Sequence, residues 1–143
     1  MAKGPEGKYI DKIHRQLSPN LYKLKMNMGM GAPGGIPDYY YEGDKACLWI
    51  EYKAIPSWDK KKTIPIHVIS PLQKDWLLRA HNNKQKVAVI MGDSTGKSII
   101  LSAYTLSTNK PNTDTFDFYT PKEVAQHIET IVSTQKFYGE YNE

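Results

Sequence analysis

Apolar positions recur at helical spacing near the start of the chain, at a period of two through its middle, and at helical spacing again near its end. From Pro5 to Leu17, Ile10, Ile13 and Leu17 line one side while Lys, Asp and Arg occupy the other. Pro5 suits a first helical turn, so the pattern predicts an opening amphipathic helix. Ser18-Pro19-Asn20 ends it, and Leu21 to Met28 then alternates as a half-buried strand does. Gly29 to Gly35 interrupts that alternation with a glycine-rich stretch able to approach neighbouring backbone closely. Two strands are predicted over about 36–41 and 46–54, joined through a hairpin at Glu42-Gly43-Asp44-Lys45. In the second of them Cys47, Trp49, Glu51 and Lys53 share one face, with Leu48, Ile50 and Tyr52 on the other.

Residues 55–69 contain two prolines and the run Lys60-Lys61-Lys62, which reads as a mobile basic loop leading into a short apolar strand over Ile64 to Ile69. Ser70-Pro71-Leu72-Gln73 has the make-up of a capping box, followed by an apolar helix face of Leu72, Trp76, Leu77 and Ala80. Val87 to Met91 and Ile99 to Tyr104 predict further strands, and Thr120-Pro121-Lys122-Glu123 opens a closing helix with Val124, Ile128, Ile131 and Val132 on one side. Helix, three strands, helix, two strands, helix describes a single α/β or α+β domain over 1–143, a sheet with helices on its faces, and leaves the strand order open.

Composition narrows the class. A chain of 143 residues with 40% hydrophobic and 24% charged positions is neither disordered, collagenous nor a coiled coil. A domain of this size buries roughly 68% of its unfolded surface and holds together without staples. The single Cys47 forms no internal bridge and agrees with a reducing compartment. No apolar run approaches the roughly 20 residues that cross a bilayer, and the opening residues lack a secretory signal's apolar core, so the expectation is a soluble intracellular protein with no membrane partner. Residues 1–109 carry 16 Lys and Arg against 9 Asp and Glu, whereas residues 110–143 carry 3 against 6. A basic body suits a polyanion such as nucleic acid, although a merely solvated surface has the same charge.

Several motifs fail as chemistry. Gly92 to Ser98 follows a strand as a phosphate-binding loop does, yet it is one residue short and leads into another strand, so no nucleotide cofactor is expected. His14, His67, His81 and His127 are scattered without ligand spacing. Asp38, Glu51 and Lys53 remain, on adjacent predicted strands. Two carboxylates and a lysine make a hard, oxygen-rich site that suits Mg²⁺ and phosphodiester hydrolysis, or else a surface pair on a hairpin. Glu6 continues the 6, 10, 13, 17 stripe, so its carboxylate lies at the end of the core-facing side, where the positive helix end also favours it.

Gly35-Ile36-Pro37-Asp38 followed by Trp49-Ile50-Glu51-Tyr52-Lys53 resembles the PD-(D/E)XK nuclease signature. Gln73-Lys74-Asp75-Trp76 with the strand Val87 to Gly92 resembles its VRR-NUC branch, the similarity covering roughly residues 5–92. The resemblance implies a restriction-endonuclease-like core, a mixed central sheet flanked by helices. It also implies a Mg²⁺-dependent endonuclease, with Mn²⁺ as a substitute, that resolves branched DNA such as Holliday junctions as a homodimer. Small members are often phage-encoded and act in the cytoplasm of a bacterial host. By the same resemblance Asp38, Glu51, the Tyr52 backbone carbonyl and Glu6 would hold metal, Lys53 would position or activate water, and Gln73 would join them, the capping box being its alternative role.

Two features depart from that pattern: the long segment between Lys53 and Gln73, and the C-terminal strand and helix extension, 93–143. Trp58 with Lys60, Lys61 and Lys62 offers a stacking ring and three phosphate-neutralising charges for DNA, or a solvated charge run. Two symmetric cuts in a junction call for a two-fold dimer, with Tyr39, Tyr41 and Ile64 to Ile69 as exposed apolar candidates for its interface. The rival readings are a non-catalytic nucleic-acid-binding module and a nuclease acting on flaps, nicks or linear duplex.

Overall fold

The computed structural model describes residues 4–26, 34–107, 111–113 and 116–134. Its elements are α1 (Pro5–His14), β1 (Tyr22–Lys25), β2 (Tyr39–Glu42), β3 (Cys47–Ala54), α2 (Pro71–Asn82), β4 (Lys86–Gly92), β5 (Ser98–Leu101), the short α3 (Ala103–Leu106) and α4 (Pro121–Val132). The strands form one five-stranded sheet in the order β1-β2-β3-β4-β5. Neighbours are antiparallel except β3 and β4, which run parallel. A parallel pair needs a crossover, and α2 supplies it. The fold is therefore α/β, a mixed sheet with flanking helices. Of the predicted 21–28 strand and Gly29–Gly35 stretch, residues 27–33 lie outside the described residues.

The pleat sorts side chains onto two faces. Leu48, Ile50 and Tyr52 of β3 and Ala88 and Ile90 of β4 bury the back face against Ile10 and Ile13 of α1 and Val124, Ile128 and Val132 of α4. Tyrosines carry polar atoms into this layer in pairs. Tyr41 and Tyr52 share a hydroxyl bond of 2.6 Å, His14 Nε2 lies 2.8 Å from the Tyr41 hydroxyl, and the Tyr9 hydroxyl lies 2.6 Å from Ser98 Oγ. On the front face Val89, Met91, Ile99 and Leu101 pack with Leu77, Trp58, Ile64 and Leu106. The carboxyl-terminal segment takes part in both layers: β5 closes the sheet, and α4 covers its back beside α1.

Four expectations are corrected. Residues 64–69 form no strand but a 3₁₀ turn over Ile66–Val68, with two prolines at 56 and 65 breaking any ladder. Residues 99–104 do not continue as one strand, because the Ser102 side chain accepts the Thr105 N–H and starts α3. The 55–64 segment, read as mobile, is pinned: Ile55 N–H donates to Gly92 O, Ile64 N–H to Pro111 O, and Thr113 N–H to Lys62 O. The proposed dimer-interface residues are also wrong as exposed surface, since Tyr41, Ile64 and Ile69 are buried in the protein's own core and Tyr39 packs against it.

Candidate active site

Glu51 and Lys53 lie on the front face at the carboxyl-terminal end of β3, where burial and alternation leave them beside each other at 3.2 Å, Lys53 Nζ to Glu51 Oε2. β2 runs antiparallel to β3 with Tyr39 opposite Ile50, so Asp38, one step earlier, comes alongside Glu51. The Tyr52 backbone N–H fixes Asp38 by donating to its Oδ2 at 2.9 Å. Gln73 arrives from the first turn of α2 and donates from Nε2 to Glu51 Oε2 at 2.9 Å. Its Oε1 meanwhile accepts the Ser70 N–H at 3.0 Å, and its own N–H donates to Ser70 Oγ at 3.1 Å. The capping box and the site contact are thus made by one amide, one end for each.

Glu6 sits in the first turn of α1, close enough to Asp38 and Lys53 to feel both charges and near the Ala54 backbone, which favours its ionised form slightly. The structure therefore brings Glu6, Asp38, Glu51, Lys53 and Gln73 to the same end of β3. Burial raises the Glu6 and Asp38 carboxyls above their usual range, Asp38 adding to the effect on Glu6, while Tyr52 N–H, Lys53 and Lys25 work against it at Asp38. Glu51 is only 2% exposed, and burial together with the charge of Asp38 pushes its carboxyl up to about 7 despite Lys53. The Asp38 and Glu51 carboxyls are close enough to act on each other. With both ionised, Glu51 Oε1 has no hydrogen-bond donor among the described residues. A buried carboxylate oxygen without a donor is costly, and a cation satisfies it.

Among the described residues no three His, Cys, Asp or Glu side chains converge closely enough to enclose a metal ion by themselves. The acidic set nevertheless fits a hard cation of the Mg²⁺ type, which keeps several waters, takes one or two carboxylates and completes its shell with substrate phosphate oxygens. The orphaned Glu51 Oε1 is the observation that favours it.

Lys25 of β1 was not among the residues singled out by sequence. Its charge acts on Asp38 because β1 pairs with β2 and Met26 N–H donates to Asp38 O at 2.9 Å. Only the strand register brings it there. Trp58 is a correction: it is 3% exposed, its indole N–H donates to Lys97 O at 2.9 Å, and its ring meets Phe118 edge-on at 5.4 Å. A base has no access to it. Lys60, Lys61 and Lys62 are exposed, on a backbone that the 111–113 segment holds. Gly92 to Ser98 is a turn between strands. Asp93 gathers it by accepting from Thr95 N–H and Lys97 N–H through Oδ1 and from Trp58 N–H through Oδ2.

The mixed five-stranded sheet with its flanking helices is an α/β fold of the restriction-endonuclease-like kind. One solved structure with this fold is that of Archaeoglobus fulgidus Hjc, a Holliday junction resolvase from an archaeal hyperthermophile. It superposes with a TM-score of 0.57 over 84% of this chain and 96% of that one, at 14% sequence identity. No family model and no curated protein matches the sequence.

Proposed function

We propose that this protein is a metal-dependent, structure-selective DNA endonuclease that hydrolyses phosphodiester bonds in branched DNA, Holliday junctions foremost, as a homodimer inside the cell. The observation that carries the proposal is the buried Asp38–Glu51 pair flanked by Lys53 and Gln73, with one carboxylate oxygen of Glu51 lacking a donor. A pure DNA-binding module has no use for buried carboxylates facing phosphate. The fold shared with a resolvase and the +4 charge support the same reading. The QxxW pattern beginning at Gln73 favours the VRR-NUC branch, since the glutamine reaches the Glu51 carboxylate.

Asp38, Glu51 and the Tyr52 carbonyl, with Glu6 beside them, would hold Mg²⁺, for which Mn²⁺ can substitute. When bound, that ion supplies charge neutralisation of the phosphate and a more acidic water. The chain's own groups supply the orientation. Tyr52 N–H and Gln73 Nε2 fix the two carboxylates, so their oxygens do not have to reorganise during the reaction. Lys53, one-fifth exposed and held by Glu51, carries an ammonium that can orient an attacking water and stabilise negative charge developing on the phosphoryl oxygens. Lys25 beside Asp38 adds a cation for the substrate backbone. Junction resolution requires two such sites, and a two-fold dimer presents them symmetrically.

The test is cleavage of labelled four-way junction, flap, nicked and linear duplex DNA with Mg²⁺, Mn²⁺ or EDTA, comparing the intact protein with Asp38→Asn and Lys53→Ala. Junction-selective cutting that needs metal and falls by at least about 100-fold in both variants is the expected result. Cutting confined to the other substrates removes the junction assignment. Junction binding without cutting in either metal removes the enzyme.

A further inference from the structure

Two of the elements that build the acidic site, β3 and α2, each carry an indole close to their site residue. On β3, Trp49 is two residues before Glu51 on the same face, about 7 Å along the strand. On α2, Trp76 is three residues after Gln73, just under one helical turn. The two rings meet at 5.1 Å between centroids, and Tyr40 extends the row at 4.9 Å from Trp49. Tyr22 lies at 6.4 Å from Tyr40 and is 54% exposed. The Arg79 guanidinium sits 5.7 Å from the Trp76 ring centroid. Beside that pair opens a groove of about 540 Å³, lined by Gly34, Leu72, Trp76, Arg79, Asn82 and Asn83 among others.

From this continuity we propose that the groove against Trp76 and Arg79 receives an unpaired or splayed nucleobase lying close to the phosphate that is cut. The inference rests on the nuclease reading of the adjoining carboxylates. A ring face and a guanidinium plane stack on any base, while Asn and Arg supply the donors and acceptors that meet a base edge. Arg79 at one end of the aromatic row and Lys25 at the acidic site give the strand's phosphates a cation on either side of the base. Trp49 lies about 7 Å along β3 from Glu51 and touches Trp76 in turn, so the base served is one a few nucleotides at most from the scissile position. The stacking that the sequence assigned to Trp58 falls to a different tryptophan, on the same side of the sheet as the carboxylates. Selectivity for branch points over continuous duplex follows, because only at a branch, bulge or flap is a base free to leave the stack at little cost.

The experiment places 2-aminopurine at an unpaired position beside the branch of a DNA three- or four-way junction and measures its fluorescence and affinity in EDTA, where nothing is cut. Trp76→Ala and, as an exposed change that leaves the core intact, Arg79→Ala are compared with the intact protein. Circular dichroism establishes that each is folded. The expected result is an altered 2-aminopurine signal on binding, with affinity about 5- to 150-fold weaker in Trp76→Ala and reduced in Arg79→Ala, and unchanged affinity for continuous duplex. An unchanged signal and affinity in folded Arg79→Ala and Trp76→Ala overturns the base site and leaves the nuclease untouched if metal-dependent cutting persists. Failure of the intact protein to cut any DNA overturns the nuclease reading separately, since base capture is measured without metal. If Arg79→Ala instead converts a dimer into a monomer by light scattering, the groove belongs to a second copy of the chain and the proposal is wrong.

Discussion

Burial and the charge of Asp38 oppose ionisation of Glu51 more strongly than Lys53 favours it, and this has a consequence for stability. Its carboxyl, ordinarily near 4.5, rises to about 7 in the folded protein, so between those values the folded state binds more protons than the unfolded one. Stability therefore falls as pH climbs from about 4.5 through 7, by on the order of 3 kcal/mol. In EDTA the melting temperature is expected to drop across this window, and Glu51→Gln is expected to flatten the drop. Mg²⁺ or Mn²⁺ should raise the melting temperature much more at pH 8 than at pH 5; equal shifts at both would remove Glu51 from the metal site. Gln73 offers a second test at this scale. Gln73→Glu keeps a carboxylate oxygen for the Ser70 N–H but sets like charge against Glu51, so cutting is expected to fall far more than helix content. Gln73→Ala loses both contacts, and about 1 kcal/mol of stability with them. The two roles weighed for Gln73 in the sequence were never exclusive, because an amide has a donor end and an acceptor end.

At the scale of elements, the sequence was read well wherever the information is local. Period-two alternation placed Glu51 and Lys53 on one face of β3, and both capping boxes marked helix starts, at Ser70 and Thr120. The reading failed where a residue's surroundings come from distant chain. Trp58 looked like an exposed ring among lysines, yet it is buried by Lys97, Asp93 and Phe118, which a linear pattern cannot bring to it. Lys25 was missed for the same reason, its place depending on the β1–β2 register. Ser102 was a local signal overlooked, a side-chain cap ending a strand and starting a helix. The 55–64 segment accordingly divides into two experiments. Trp58→Ala should cost about 3–5 kcal/mol in denaturant unfolding, as removal of a buried indole does. Lys60/61/62→Ala should leave stability nearly unchanged and flatten the salt dependence of DNA binding by up to about 3 in slope if the three lysines meet phosphates.

Across the whole molecule the strands stand in the sheet in the order in which they occur in the chain, and each pairs with its predecessor. The first and last helices are brought together elsewhere, α1 and α4 lying side by side on the back face. Ser18 N–H, just after α1, donates to Glu129 Oε1 of α4 at 3.0 Å across a separation of 111 residues. Neighbour-to-neighbour pairing closes short loops early, whereas the α1–α4 contact closes nearly the whole chain and is entropically the last to become worthwhile. Folding should then begin in the sheet and end with the two helices docking. Ile13→Val and Val124→Ala are expected to accelerate unfolding while scarcely slowing folding in stopped-flow chevrons, and Ile50→Val to slow folding. The opening helix that carries Glu6 would thus join the carboxylates only at the end, so a chain caught midway has its sheet assembled while its acidic site is still incomplete.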